Sequence, residues 1–252
     1  MDAISIIIPT YNMQRALACC CAHVAEQTLK PSEVIIVNDG SADGTAVWAE
    51  EARRILPFEV SLLTQDHRGA SAARNKGFLH SHGDLVMFLD ADVILKKHAL
   101  ERLYMTLKDT PPCPPLTKGG MGGLVVGYAY SSFRWGWKKF SSYSFDAARL
   151  RQMPYIHTTS LIKREALPEN PFDEHLKRLQ DWDLYLTLLE RGFIGVYLPE
   201  ILFTVETKGT VSRWLPSIMY QIPFTRFGLK IPNLEKYREA EQIIKTKYKL
   251  DN

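Results

Sequence analysis

The residues most able to do chemistry stand at the ends of apolar runs. Asp90-Ala91-Asp92 follows Leu85 to Leu89, and in an extended segment residues i and i+2 project to the same side, so Asp90 and Asp92 share a face. Like charges held that close are unfavourable unless a cation or hydrogen-bond donors offset them. An Mg²⁺ or Mn²⁺ ion bound by one or two carboxylates and by a nucleotide's phosphates answers that need; solvated turn carboxylates are the plainer alternative. Asn38-Asp39-Gly40-Ser41-Ala42-Asp43-Gly44-Thr45 is a second polar cluster. Its glycines permit a tight turn and close backbone approach, Ser41 or Asp43 can cap a following helix, and a carboxylate at Asp39 can accept from a base N–H or a ribose hydroxyl. A third, Arg68-Gly69-Ala70-Ser71-Ala72-Ala73-Arg74-Asn75-Lys76-Gly77, sets cations among small residues. A guanidinium there can neutralise a diphosphate or brace a carboxylate; a solvated basic helix face is the competing reading.

The elements that carry these residues alternate. Ile4 to Ile8 is a strand-length apolar run closed by Pro9, and after Asn12, a good N-cap, Leu17, Cys20, Cys21 and Val24 fall on one helical face. Val34 to Val37, Val60 to Leu63 and Leu85 to Leu89 read as strands, with helices over Thr45 to Ile55 and Ser71 to His80. Strands spaced by helices predict an α/β fold with a doubly wound, mostly parallel sheet and right-handed crossovers. Ligands of such sheets gather beyond the carboxyl ends of the strands. Thr10-Tyr11-Asn12, Asn38 to Ser41 and Asp90 to Asp92 would therefore meet at one edge.

A helix with Leu100, Leu103, Tyr104 and Leu107 on one face comes next. Thr110 to Gly123 then holds four prolines and four glycines in 14 residues, which reads as an inserted flexible loop over 110–123. Strands are expected over Leu124 to Tyr130, Tyr155 to Ile162, Phe193 to Leu198 and Ile201 to Val205, a helix over Asp181 to Glu190 capped by Gly192, and two helical segments at the end. Length allows one or two domains at roughly 150 residues each. With 31 basic and 28 acidic residues in 252, the chain lacks the dense positive field of a dedicated nucleic-acid binder. No stretch approaches the roughly 20 apolar residues of a membrane span, and no signal-peptide layout opens the chain. Cys19, Cys20, Cys21 and Cys113 form neither a disulfide framework nor a Cys-x-x-Cys zinc site. A cytoplasmic protein is expected.

Four segments in order, Ile8-Pro9-Thr10-Tyr11-Asn12, Val37 to Thr45, Gly69 to Gly77 and Phe88-Leu89-Asp90-Ala91-Asp92, closely resemble the nucleotide-binding half of family 2 glycosyltransferases, inverting enzymes of the GT-A fold. The likeness is dense over residues 1–105 and thinner to 215, through Leu179-Gln180-Asp181-Trp182-Asp183-Leu184-Tyr185-Leu186. It implies that Pro9, Thr10 and Tyr11 line the nucleotide pocket, that Asp39 contacts the base, usually uracil, that Asp90 contacts the ribose and Asp92 the metal. Asn38 stands where the family commonly has Asp, and Ala91 completes the donor-binding motif. Arg74 matches the arginine of the family's Ala-Arg-Asn segment and receives a bracing role. Asp181 matches the general base of the acceptor half; an inverting transfer needs a carboxylate to take the proton of the attacking hydroxyl. Asp183 is read as a cap or brace.

The implied layout is one GT-A domain over 1–252: a donor half over 1–105, the insertion at 110–123, a smaller acceptor-side subregion over 124–215 and a helical extension over 216–252. The implied function is metal-dependent transfer from a nucleotide-sugar, UDP-linked by the resemblance, to a carbohydrate or lipid-linked carbohydrate acceptor in cell-surface glycan synthesis. The chain departs from the family where a late Tyr-Arg-x-His is common: it reads Phe203-Thr204-Val205-Glu206-Thr207-Lys208, with Lys208 or Arg213 as substitutes. His157 either faces the site or is structural. Phe133-Arg134-Trp135-Gly136-Trp137-Lys138-Lys139-Phe140 suits sugar stacking, a peripheral contact with the inner membrane face, or an anchored loop. The apolar Trp214 to Phe227 suits docking on the core, an oligomer partner or a membrane. Two other functions compete: a degenerate, non-catalytic nucleotide-sugar binding module, and a sugar-phosphate nucleotidyltransferase, which would want a glycine-rich loop where Pro9-Thr10-Tyr11-Asn12 stands. The absence of Gly-x-Gly-x-x-Gly argues against a dinucleotide dehydrogenase.

Overall fold

The computed structural model describes residues 2–110, 124–206 and 232–250. The expected insertion beyond Thr110, the segment Trp214 to Phe227, Lys208, Arg213 and Cys113 lie outside the described residues. The first half is four parallel strands, β1 (Ile4–Thr10), β2 (Glu33–Asn38), β3 (Glu59–Thr64) and β4 (Leu85–Phe88). Helices α1 (Gln14–Ala25), α2 (Thr45–Ile55) and α3 (Ala70–Leu79) connect them. They are followed by β5 (Val93–Leu95), α4 (Ala99–Asp109), β6 (Val125–Trp135), β7 (Lys138–Phe140), α5 (Ala147–Gln152), β8 (Leu161–Lys163), α6 (Gln180–Glu190), β9 (Phe193–Val205) and α7 (Pro232–Lys247).

One sheet runs through both halves in the order β3-β2-β1-β4-β8-β6-β9-β5, with β7 paired to β6. The β3-β2-β1-β4 portion is parallel, β8 is antiparallel to β4 and to β6, and β5 is antiparallel to β9. The period-two alternation of β1 separates the two core layers. Ile4, Ile6 and Ile8 pack with Leu17, Leu100 and Leu103 on one face; Ile7 packs with Val37, Ala73 and Phe88 on the other. Burial on both faces explains why these strands read as continuous apolar runs.

Pro9 does not end β1. The Leu89 N–H donates to the Ile7 C=O and the Asp39 N–H to the Thr10 C=O, so odd residues of β1 address β4 and even ones β2. Pairing with β4 stops at Ile7 opposite Phe88. The donor that proline lacks thus points where no ladder partner is needed. Asn12 is not the α1 cap: that place falls to Met13, while Asn12 adopts φ +52 and its Oδ1 accepts from the Ala42 N–H at 2.8 Å.

Three further differences have local causes. β5 is only three residues long and is defined by its pairing with Val205, Thr204 and Phe203, so it carries no period of its own. The expected pair of strands over 193–205 is one strand, because β6 follows it through register shifts around Ser131 to Phe133. Most of 155–160 is irregular, and only Leu161–Lys163 pairs. Gly192 ends α6 as expected, with φ +85 and its N–H bonded to the Leu189 C=O.

Gly77 lets α3 lie close on the sheet: a Cβ there would stand 2.4 Å from Ile7 Cγ2 and 3.1 Å from Val37 Cγ2. Both neighbours are buried β-branched residues in the core, where overpacking typically costs about 1–3 kcal/mol. Gly77→Ala is therefore expected to lower the unfolding free energy by that amount and the urea midpoint with it; an unchanged midpoint would refute this packing account.

Candidate functional site

The nucleotide side of the site begins where β1 and β2 end. Thr10 lies opposite Asn38, and the two following loops are laced together. Asn38 Oδ1 accepts from the Ser41 N–H at 3.0 Å, and Ser41 Oγ accepts from the Asn12 N–H at 2.9 Å. Gly40, at φ +75, would bring a Cβ to 3.0 Å from the His67 backbone nitrogen, so the loop closes tightly over residues 65–67.

Asp39 is the clasp of that closure. Its Oδ1 accepts from Gln65 Nε2 at 2.7 Å and the Arg68 N–H at 2.8 Å; its Oδ2 accepts from the Gly69 N–H at 2.8 Å and lies 2.9 Å from His67 Nδ1. A carboxylate offers about four acceptor positions, and in this structure protein groups meet all four. The imidazole so held stacks on Tyr11, ring centroids 4.0 Å apart and planes 27° from parallel. Tyr11 is 38% exposed, leaving a partly open aromatic face at the edge where the expected pocket lies.

Asp90 and Asp92 follow β4 and have opposite electrostatic fates. Arg74, buried on α3, reaches Asp90 Oδ1 from Nη2 at 2.5 Å and Gln180 Oε1 from Nη1 at 3.1 Å, with its guanidinium 5.1 Å from the Phe172 ring centre. Burial alone would raise the Asp90 carboxyl, but the Arg74 charge outweighs it and holds that group below the ordinary carboxylate range. Among the described residues Asp92 has no such partner. Burial first, then the neighbouring Asp90 charge, with Glu206 adding to it, pushes its carboxyl up to about 7. Ala91 between them is buried, and the Cys20 thiol on α1 lies 3.8 Å from the Asp90 carbonyl oxygen.

Asp181 sits in the first turn of α6, a helix entered through Leu179 at φ +58, a left-handed conformation that a branched side chain seldom adopts. Burial raises its carboxyl above the ordinary value, against the pull of the Trp182 N–H, which donates to Oδ1 at 2.9 Å, and of Arg74. Asp183 is different in kind. It is 2% exposed and bonded to Lys247 Nζ at 2.7 Å and Tyr248 Oη at 2.8 Å, so it docks the C-terminal helix and faces no cleft.

The donor set suits a hard cation shared with a ligand. Among the described residues no cation is paired with Asp92 and the Arg74 guanidinium is committed to Asp90, yet no group of three or more His, Cys, Asp or Glu among them could enclose a metal alone. Glu206 stands where the late histidine of the family pattern would fall, and its N–H donates to the Asp92 carbonyl at 2.8 Å. Three buried polar atoms near this edge, Thr10 Oγ1, Ser71 Oγ and Arg74 Nε, have no partner among the described residues. Sequence reasoning missed His67, Gln180 and Glu206, whose partners lie far along the chain, and left Ser71 unassigned inside a motif it had quoted.

The sequence profile of Glycosyl transferase family 2 matches residues 5–170, well over half of the chain. The chain belongs to that family, and its class is that of a glycosyltransferase. Among curated relatives, "Glycosyltransferase GlyA" of Streptococcus pneumoniae is 34% identical over 103 residues, 41% of this chain and 15% of that protein. "Cholesterol galactosyltransferase" of Borreliella burgdorferi is 33% identical over 105 residues, 42% of this chain and 29% of that one. This chain thus matches well under half the length of these relatives. The solved structure of S. aureus TarS 1-349 in complex with UDP-GlcNAc superposes at a TM-score of 0.67 and 18% identity, covering 99% of this chain and 73% of that one. The Pyrobaculum calidifontis mannosyltransferase PcManGT, in complex with GDP-Man and Mn²⁺, superposes at 0.62 and 18% identity, covering 99% and 70%. At such identities the likeness establishes the fold, a GT-A architecture.

The raised Asp92 carboxyl makes a stability prediction for the ligand-free protein. It ionises near 3.8 when unfolded and near 7 when folded, so between those values the folded state holds the extra proton and stability falls as pH rises through the window. Asp92→Asn removes the repulsion and is expected to stabilise the protein at pH 8 by about 1–2 kcal/mol, allowing for solvent screening, with little effect near pH 4. Thermal melts at the two pH values check this; a destabilised variant at pH 8 would show that Asp92 is compensated.

Proposed function

We propose that this chain catalyses inverting, metal-dependent transfer of a sugar from a nucleotide-sugar, UDP-linked, to a carbohydrate or lipid-linked carbohydrate acceptor in cell-surface glycan synthesis. The observation that carries the reading is that two raised carboxylates, Asp92, with no cation among the described residues, and Asp181, both lie within the electrostatic reach of the Arg74–Asp90 pair. One arrangement suits a cation-bound diphosphate and the other suits a proton acceptor.

In this reading Pro9, Thr10 and Tyr11 line the nucleotide pocket, and Asn38 and Asp39 hold its wall. The Tyr11–His67 stack offers a face to the base, and Asp39, its acceptor positions taken by protein groups, serves the base through the loop it clasps. Asp90 and Ala91 flank the ribose, Arg74 holding Asp90 ionised and in place. Asp92 would hold Mg²⁺ or Mn²⁺, which when bound neutralises charge developing on the leaving nucleoside diphosphate. Asp181 takes the proton of the acceptor hydroxyl as its oxygen bonds to the anomeric carbon and the bond to the diphosphate oxygen breaks on the opposite face. Its raised basicity fits a general base.

The UDP preference rests on the motif resemblance and on the complex of TarS with UDP-GlcNAc. A contact with the inner membrane face is supported by Trp137, 89% exposed at the turn between β6 and β7 beside exposed Lys138 and Lys139. No helix among the described residues is long and apolar enough to cross a membrane. The sheet shared by both halves supports one domain with a donor half and an acceptor half. A binding-only module is favoured by one feature, Glu206 in place of the histidine, and the base variant separates the two readings.

A ligand that binds only the native state raises its stability, by about 2.7 kcal/mol at a hundredfold excess over Kd. UDP-sugars are expected to raise the melting temperature in the presence of Mn²⁺, with GDP- and dTDP-sugars weaker; no shift with any of them would overturn the donor site. Asp181→Asn is expected to keep that shift while lowering transfer about 10²- to 10⁴-fold. Undiminished turnover would remove Asp181 as the base, and a wild type that binds the donor yet transfers to no acceptor would favour the binding module.

A further inference from the structure

His157 lies in the irregular segment before β8, and its ring is fixed from several sides. The Thr159 N–H donates to Nδ1 at 3.1 Å, so the lone pair is on Nδ1 and the neutral ring carries its proton on Nε2. The imidazole packs against Phe133 and Phe203, centroids 4.9 and 5.1 Å away. Tyr185 Oη donates to the His157 carbonyl at 2.7 Å and Ser160 Oγ to the same oxygen at 3.0 Å. Among the described residues Nε2 has no hydrogen-bond partner, although the ring is only half-buried.

The segment that carries His157 leads into β8, which pairs antiparallel with β4, Val86 opposite Ile162, so His157 enters the sheet at the end where β4 runs out into Asp90. Asp90 and Arg74 are the charged groups that act on the imidazole. Burial nevertheless dominates and pushes it down to about 4, so the ring stays a neutral donor throughout the physiological range. A neutral N–H of fixed tautomer, held by aromatic walls beside a carboxylate that is already ion-paired, suits a hydroxyl oxygen better than a phosphate, which calls for a cation.

We propose that His157 is a donor-sugar-binding residue: its Nε2–H donates a hydrogen bond to a hydroxyl of the sugar being transferred, on the acceptor-side flank of Asp90. The assignment rests on the nucleotide-sugar reading above. It makes His157 a determinant of which sugar is accepted, through a segment of the chain outside the four nucleotide-binding motifs.

The test compares UDP with UDP-glucose and UDP-GlcNAc by calorimetry in Mn²⁺. His157→Leu is expected to weaken the better-bound UDP-sugar about three- to tenfold, the worth of one neutral hydrogen bond, and to leave UDP within twofold. His157→Gln, which can return an N–H near the same place, should recover part of the loss. In ¹⁵N-histidine-labelled wild type, the Nε2 resonance of His157 should shift with the UDP-sugar and not with UDP, a readout free of any folding defect in the variants. Equal losses for UDP and UDP-sugar, a loss confined to the acceptor KM, or an unmoved Nε2 resonance would each overturn the assignment. Wild type that binds neither UDP nor a UDP-sugar would instead overturn the donor-site reading on which it rests.

Discussion

A single buried guanidinium ties the site together. Arg74 reaches from α3 to Asp90 after β4 and to Gln180 at the start of α6, so one side chain fixes the geometry between the two halves of the sheet edge. Its neighbour Asn75 does the same with backbone: Nδ2 donates to the Phe172 carbonyl at 2.8 Å and Oδ1 accepts from the Phe172 N–H at 3.0 Å. The Ala-Arg-Asn segment is thus a clamp on residues 172–180. A buried cation is tolerable only when paired, and the pairing it requires is what holds Asp90 and α6 in register with each other.

The clamp also sorts the carboxylates. Arg74 has one strong ion pair to give, and Asp90 takes it, which leaves Asp92 beside an ionised neighbour with no cation of its own among the described residues. Asp181 feels the same guanidinium only at a distance and stays raised by burial. Three carboxyls around one arginine therefore acquire three characters: Asp90 a fixed anion, Asp92 raised by burial and its ionised neighbour, and Asp181 raised by burial. Separation of this kind between neighbouring titratable groups is how a site assigns roles to chemically identical side chains.

Much of the fold was legible in order because the parallel strands are buried on both faces. Ile4 to Ile8, Val34 to Val37 and Leu85 to Leu89 announce themselves as apolar runs, and Leu17, Cys20, Cys21 and Val24 form the buried face of α1. Where pairing alone makes a strand, as at Val93–Leu95, local pattern carries no signal, and at Phe193–Val205 it marks two strands where register shifts keep one. The second half was less readable for that reason: its strands are defined by partners up to about a hundred residues away.

The sequence by itself determined the class of this protein, the order of its elements through β4 and the motifs that lie at the ends of strands, since strand period and turn chemistry are local properties. It also set Asp183 aside from Asp181 by helical position. Only the tertiary structure decided what each polar group does. Asp39 spends its oxygens on a loop, Asp90 on Arg74 and Asp183 on Lys247 and Tyr248, while among the described residues Asp92 has no cation and His157, bonded at Nδ1, has no partner at Nε2. The reason is that charge and hydrogen-bond satisfaction are sums over neighbours in space, and those neighbours come from α3, α6, β8 and α7, segments that the chain brings together only by folding.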